Sequence, residues 1–292
     1  MRTSVLVLTY ERPDALALVL SGLARQTQLP FEVVVSDDGS GPATRAAMER
    51  LRRALPFPVV YLDQPHRGAR MARARNRAVA AASGDHVVFL DGDMVPMETF
   101  VADHRAALRP GLFVQGSRAL ASPALSRALL GRACPDVRWF AGGISRRQNL
   151  LHLPALAVLW GRPHRRRAGA KSCNLAFWRR DLVRLNGFNE AMEGWGLEDA
   201  ELVQRAFHLG LRRRDLRLAG GALHLWHPPH TLADDNPNWA ILREVERSGT
   251  IRCARGLDGH LRAEPRGRAT SVGPRQPTST GDFSGGASKH LP

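Results

Sequence analysis

The sequence predicts an α/β protein, a mostly parallel sheet with helices on both faces, followed by a disordered C-terminal tail. Three observations carry that prediction. Apolar, β-branched runs near the N-terminus alternate with stretches whose apolar residues have helical spacing. Strand and helix alternating at this period build a parallel sheet covered on both faces. The strand ends place Thr9 and Tyr10, Asp37 and Asp38, and Asp91 and Asp93 on one edge. In such sheets ligands bind beyond the carboxyl ends of the strands.

The elements follow in order. TSVLVLTY reads as a buried strand closed by a turn containing Pro13, and DALALVLSGLARQT as the helix after it. FEVVVSDDGS is a second buried strand ended by an acidic glycine turn, followed by the helix PATRAAMERLRRAL. FPVVYLDQ is the third strand, GARMARARNRAVAAAS a helix rich in Ala and Arg, and DHVVFLDGD the fourth strand. From about 117 to 170 the pattern breaks into loops and short helices expected to lie over the site. CNLAFWRRDLVRLNGF then reads as a strand and a helix stopped at Asn186-Gly187, EDAELVQRAFHLG as an amphipathic helix stopped at Gly210, and ALHLWHPP as a short strand. This organisation implies one domain over 1–252, divisible near 116, and a Gly-, Ser-, Pro- and Arg-rich disordered basic tail over 253–292.

Bulk properties narrow the class. A chain of 292 residues with 43% hydrophobic content can bury a sizeable core. The net charge of +15 favours polyanionic partners (nucleic acid, an anionic membrane surface or phosphorylated substrates) without choosing among them. Cys134, Cys173 and Cys253 form no CxxC pair and fit a reducing compartment. The N-terminus does not read as a signal peptide, and LLHLPALAVLWG is too short to span a bilayer. A cytoplasmic protein with peripheral contact at the inner membrane face is the expectation.

Four clusters could carry chemistry. Asp91-Gly92-Asp93 ends a strand, and two carboxylates held this close suit a hard divalent cation, Mn²⁺ or Mg²⁺, although Asp-Gly is also a common turn pair. In GWGLEDAELVQR, Glu198 and Asp199 stand at a helix start that favours their ionised forms, so either could accept a proton from a substrate hydroxyl. Trp195, between two glycines, offers a flat apolar face to a sugar ring; acidic capping and a core Trp would account for the same residues. In HLWHPPH, His224 and His227 would point to opposite faces of a continuous strand, so one metal would need a turn between them. Arg67, Arg70, Arg73, Arg75 and Arg77 crowd one segment, but without the interleaved aromatics of a single-strand nucleic-acid site.

In this order the motifs VLVLTYERPDAL, VVVSDDGS, RGARMARARNRAVAAASGDHVVFLDGD and CNLAFWRRDLVRLNGFNEAMEGWGLEDAELVQR resemble a family 2 glycosyltransferase of the GT-A fold, over residues 4 to about 230. The second half is similar to the galactosyltransferase-type segment of β-1,4-galactosyltransferases and bacterial chondroitin polymerases. The resemblance implies a nucleotide-sugar-binding half over 1–116 and an acceptor and catalytic half over 117–252. It implies that Thr9 and Tyr10 line the nucleotide pocket, that Asp37 and Asp38 contact uracil or ribose, and that Arg75 lies near the nucleotide. Asp91 and Asp93 then form a DxD motif, Asp93 being the more direct ligand of Mn²⁺ or Mg²⁺. Trp195 and Gly196 meet donor and acceptor, Asp199 is the base, Glu198 orients the acceptor, and His227 completes the metal site. His224 stands where the galactosyltransferases have a methionine that also meets the metal.

The implied activity is inverting, metal-dependent transfer from a UDP-sugar to a glycan or glycolipid hydroxyl. A sugar-phosphate nucleotidyltransferase would carry a Gly-rich loop after the first strand, where this chain reads TYERPDA. A non-catalytic binder of nucleic acid or anionic polysaccharide would explain the charge and leave the acidic edge without a purpose. No specific nucleic-acid partner is expected. Basic loops near 146–167 and 212–214 could instead dock on an anionic membrane.

Overall fold

The computed structural model describes residues 1–130, 132 and 137–261. The first half runs β1 (Thr3–Thr9), α1 (Pro13–Ala24), β2 (Glu32–Asp37), α2 (Pro42–Leu51), β3 (Val59–Asp63), α3 (Met71–Ala81), β4 (His86–Asp91), β5 (Met94–Pro96), α4 (Phe100–Ala107) and β6 (Leu112–Gln115). The second runs β7 (Arg118–Ala121), α5 (Pro123–Leu130), β8 (Ile144–Ser145), a 3₁₀ turn (Arg147–Leu150), α6 (Pro154–Trp160), β9 (Asn174–Trp178), α7 (Arg179–Leu185), α8 (Glu198–His208), β10 (Arg212–Asp215), β11 (Ala222–His224), α9 (Asn238–Ser248) and α10 (Asp258–Leu261).

Seven strands form the main sheet in the order β10-β6-β9-β4-β1-β2-β3. Strands β4, β1, β2 and β3 are mutually parallel, and β9 runs antiparallel between β4 and β6. Both faces are covered, which explains why β1 and β4 are apolar throughout. Val5, Val7, Val88 and Leu90 pack toward α1 and α4, while Leu6, Val87 and Phe89 pack toward α3, α7 and α8. Full burial of each such side chain contributes roughly 1.5–3 kcal/mol.

A second sheet, β5-β11-β7-β8, has four strands. The sequence reading anticipates only β11 among them. The others have two to four residues, too short for a period-2 pattern to declare itself. They are placed by contact with α1, whose Leu16, Val19 and Leu20 face the main sheet while Ala15 and Leu18 join Val95, Ala119 and Leu223 of the second. A helix buried on both sides is apolar most of the way round, as PDALALVLSGLA is. The segment expected to hold only loops and short helices thus also supplies β7 and β8.

The helix stop at Asn186-Gly187 is as expected. Both residues take left-handed φ, 62° and 65°, and Gly187 N–H donates back to the Leu182 carbonyl. The fold does not end at 252. Cys253 and Leu257 are buried, and Asn186 accepts from Asp258 N–H, so the start of the tail at 253 is corrected: these apolar side chains fill the pocket behind α7. The rest of the predicted tail, 262–292, lies outside the described residues.

Candidate active site

The site lies on the seam between the two sheets. Strand β4 leaves the main sheet at Asp91, and the chain enters the second sheet at Met94. Gly92 makes the crossing possible. Its N–H donates to the Leu8 carbonyl at 2.6 Å, and a Cβ there would stand 2.8 Å from that oxygen. The close approach turns Asp91 and Asp93 toward two different partners.

Asp91 faces Arg75 of α3. The Arg75 guanidinium is buried and divides its donors, Nη2 to Asp91 Oδ1 at 3.1 Å and Nη1 to Glu198 Oε1 at 3.0 Å. It thereby ties the end of β4 to the start of α8. Beside Glu198, Asp199 accepts from Ser172 N–H at 3.2 Å and Ala200 N–H at 2.7 Å. Burial and the adjacent Glu198 push the Asp199 carboxyl up to about 6, against the pull of Arg75. The helix start alone would have favoured the ionised form more strongly; burial outweighs it. Near neutral pH Asp199 is still mostly ionised, and it is a stronger base than a free aspartate.

Asp93 faces the second sheet. Its Oδ1 is 3.7 Å from His224 Nε2 and its Oδ2 is 3.6 Å from His227 Nε2. The ligand atoms of Asp93, His224 and His227 all lie within 4.8 Å of one another. The objection that the two histidines would point apart is met by the backbone. Strand β11 ends at His224, the chain turns, and the rings come to 5.0 Å between centroids. Burial and the charge of Asp91 push Asp93 up to about 6. Burial, with Arg118 next, pushes His224 down to about 3, so its ring is neutral at physiological pH and keeps a lone pair. One strained carboxylate and two imidazoles form a donor set that fits a divalent transition ion such as Mn²⁺. Asp91 stands outside this trio.

At the other end of the edge, Asp38 accepts from Gln64 Nε2 at 2.5 Å and from Arg70 N–H at 2.8 Å. Asp37 is engaged by its own turn, accepting from Ser40 N–H and Oγ and from Tyr61 Oη. Among the described residues Thr9 Oγ1 and Gln64 Oε1 are buried with no hydrogen-bond partner, an arrangement that costs about 1–3 kcal/mol each and suits a pocket for a polar ligand. Tyr10 is exposed and stacks on His66, centroids 4.9 Å apart and planes 16° apart.

Trp195 is 41% exposed on a loop whose flanking Gly194 and Gly196 have φ of 77° and 106°. Asn236 donates to the Trp195 carbonyl, and Asn238 to those of Glu193 and Gly196. The indole lies 5.5 Å from the ring of His230.

Several residues at the site were not singled out from sequence. Arg12, just before α1, donates to Asp93 Oδ2 at 2.8 Å. Nothing in the spacing links two positions 81 residues apart. Asn236, Asn238 and His230 were likewise missed, although the Asn-rich run after HPPH marks a loop. Cys173 is buried between the carboxylates, and burial pushes its thiol up to about 12, which makes it a poor nucleophile.

Comparisons with known proteins bear on this geometry. The family described as glycosyl transferase family 2 matches residues 4–140, and that described as the N-terminal domain of galactosyltransferase matches 160–228. A validoxylamine A glucosyltransferase of Streptomyces hygroscopicus subsp. limoneus is 30% identical over 241 residues, covering 71% of this chain and 48% of that protein. A chondroitin synthase of Escherichia coli is 27% identical over 245 residues, covering 77% of this chain and 35% of that protein. The chain thus spans less than half the length of either relative. Among solved structures, GalNAc-T7 with UDP, GalNAc and Mn²⁺ superposes with a TM-score of 0.60 at 14% identity, over 84% of this chain and 48% of that one. That likeness shows a shared fold, the GT-A arrangement.

Proposed function

Residues 4–140 match glycosyl transferase family 2, and on that premise we propose that the chain is an inverting, metal-dependent glycosyltransferase using a nucleotide sugar, with UDP as the leaving group. One observation carries the reading: a single seam joins a prospective metal site at Asp93, His224 and His227 to a half-buried base at Asp199, with Arg75 bridging Asp91 and Glu198 between them.

In this reading Asp93, His224 and His227 hold Mn²⁺ or Mg²⁺, which when bound stabilises negative charge on the departing diphosphate. Thr9, Tyr10 and Asp38 line the nucleoside end, and Asp37 shapes their turn. Trp195 and Gly196 present a flat face and an open backbone to the sugars. Arg75 fixes Glu198 and Asp91 so that neither drifts toward the other carboxylates. Asp199 takes the proton of an acceptor hydroxyl on a glycan or glycolipid while that oxygen attacks the anomeric carbon. The bond to the diphosphate breaks with its electron pair in the same displacement. The configuration inverts and no enzyme-bound sugar forms, so the paired-carboxylate logic of hydrolases does not apply. No helix among the described residues is long and apolar enough to cross a membrane. Exposed Arg147, Arg165, Arg166 and Arg212 would supply peripheral contact with an anionic inner face. A polyanion binder without catalysis would give no reason to gather Asp93 and Asp199, both half-buried, on one seam.

Thermal unfolding tests the reading. Wild type should be stabilised when UDP and Mn²⁺ are both present, by about 2.7 kcal/mol at a hundredfold excess over Kd. The gain should need both ligands and vanish in Asp93→Ala. A folded wild type that shows no shift would remove the assignment.

A further inference from the structure

Beside the base lies a cavity of about 260 Å³ whose chemistry the transfer reaction leaves unused. It opens where β6 and β10 end and β7 and β9 begin. Lys171 and Cys173 line it, and Ser172 between them donates to Asp199 Oδ2 at 3.2 Å. The cavity therefore shares a wall with the catalytic carboxylate. Besides Arg213, its walls carry four cationic side chains, Arg118, Arg146, Lys171 and Arg217. Among the described residues none of the four has a carboxylate within ion-pair distance; Arg118 Nη1 reaches only the Cys173 sulfur, at 3.6 Å. The one carboxylate in the lining, Asp215, is already held by Arg213 at 2.6 Å and by His164 at 3.3 Å. An adjoining cavity of about 370 Å³ shares Asp215 and Arg217 and adds Arg162 and Arg166.

Four cations with no ion-pair partner among the described residues repel each other around one concavity, and an anion relieves that repulsion. Among the described residues no Phe, Tyr or Trp lines either cavity, and the ring of His164 is held by Asp215, which argues against stacked nucleobases. The concave shape, with Arg118 half-buried, suits a discrete group better than a flat layer of headgroups.

We propose that this pocket takes an oxyanion carried by the acceptor, a carboxylate or phosphate on the sugar or polyol whose hydroxyl is glycosylated. The proposal rests on the transferase reading and deepens it: Lys171 and Arg118 grip the anion on the side of Asp199, and Arg146 and Arg217 close the mouth. Acceptor charge, rather than hydroxyl stereochemistry alone, then sets specificity.

Calorimetric titration of the full chain saturated with UDP and Mn²⁺ tests this, using glucuronic acid, glucose 6-phosphate and glucose. The anions should bind at least tenfold more tightly than glucose, and the stronger of the two identifies carboxylate or phosphate. A Lys171→Gln/Arg217→Gln variant should lose at least tenfold in anion affinity while keeping the UDP–Mn²⁺ thermal shift; both side chains are exposed, and that shift reports an intact fold. Equal binding of glucose, or unchanged anion binding in the variant, would overturn the proposal. Flotation with phosphatidylglycerol vesicles that the variant loses, without glucuronate or glucose 6-phosphate binding, would reassign the pocket to a membrane headgroup and overturn it as well. Absence of the UDP–Mn²⁺ shift in wild type would strike the transferase reading instead, and the same titrations on unliganded protein would still decide the pocket.

Discussion

Two glutamates of helix α8 one turn apart, Glu201 and Glu198, each meet an arginine, and the two pairs are built for different ends. In its interior, Glu201 and Arg205 are both fully buried. Glu201 accepts from Arg205 Nε and Nη2 at 2.9 and 2.7 Å and from Asn189 at 3.1 Å, and Arg205 also donates to the carbonyls of Leu185 and Gly187. Every charge there is matched. At the N-terminal end, Arg75 serves Glu198 and Asp91 together, while Asp199 and Asp93 are half-buried beside like charges. Two guanidiniums, Arg75 and Arg12, answer four carboxylates. The first arrangement holds α8 to the C-terminal end of α7; the second leaves negative charge that a cation and a proton can use.

The largest test of the contrast is Arg205→Ala. It leaves Glu201 without its counter-charge in the core, and should cost about 3–5 kcal/mol in denaturant unfolding. A loss under 1 kcal/mol would show that the interior pair is not what secures α8. At the other end, Asp199→Asn should reduce transfer by roughly 10²–10⁴-fold, the usual worth of a general base. The same variant should be more stable than wild type at pH 7, by about 1 kcal/mol. The sign follows from the raised carboxyl: the ionised form is disfavoured in the folded protein, so the cost is present above about pH 6 and fades as pH falls toward the ordinary aspartate range. Activity lost together with stability would make Asp199 part of the scaffold.

The smallest effect is the most discriminating. With Asp199 as the base, kcat/KM should rise with pH and level off above about 6. Glu198→Gln removes a neighbouring negative charge and should move that acid limb down by roughly half a pH unit. A limb that stays in place would mean that burial alone sets the Asp199 carboxyl.

Much of this was legible in the chain itself. The buried strands β1, β2 and β4 could be read because continuous β-branched runs have no other comfortable environment. The DGD turn and the acidic start of α8 stood out because carboxylates at such places need a reason. The second sheet was largely hidden, its strands being too short to carry a pattern and being held by the far side of α1. The ending at 252 came too early because composition averages over a window, whereas Leu257 is a single side chain fully buried in the core cluster of Leu182, Leu185 and Phe188.

The sequence by itself determined the alternation of elements and which residue types reach the carboxyl ends of the strands, since both follow from local periodicity and turn chemistry. Tertiary structure alone decided the partners. Arg12 meets Asp93, Arg75 spans Asp91 and Glu198, and the turn after β11 brings His224 to His227, because two sheets close on one helix. Charges far apart in the chain acquire their chemistry from burial and proximity, and neither is a property of any short stretch of sequence.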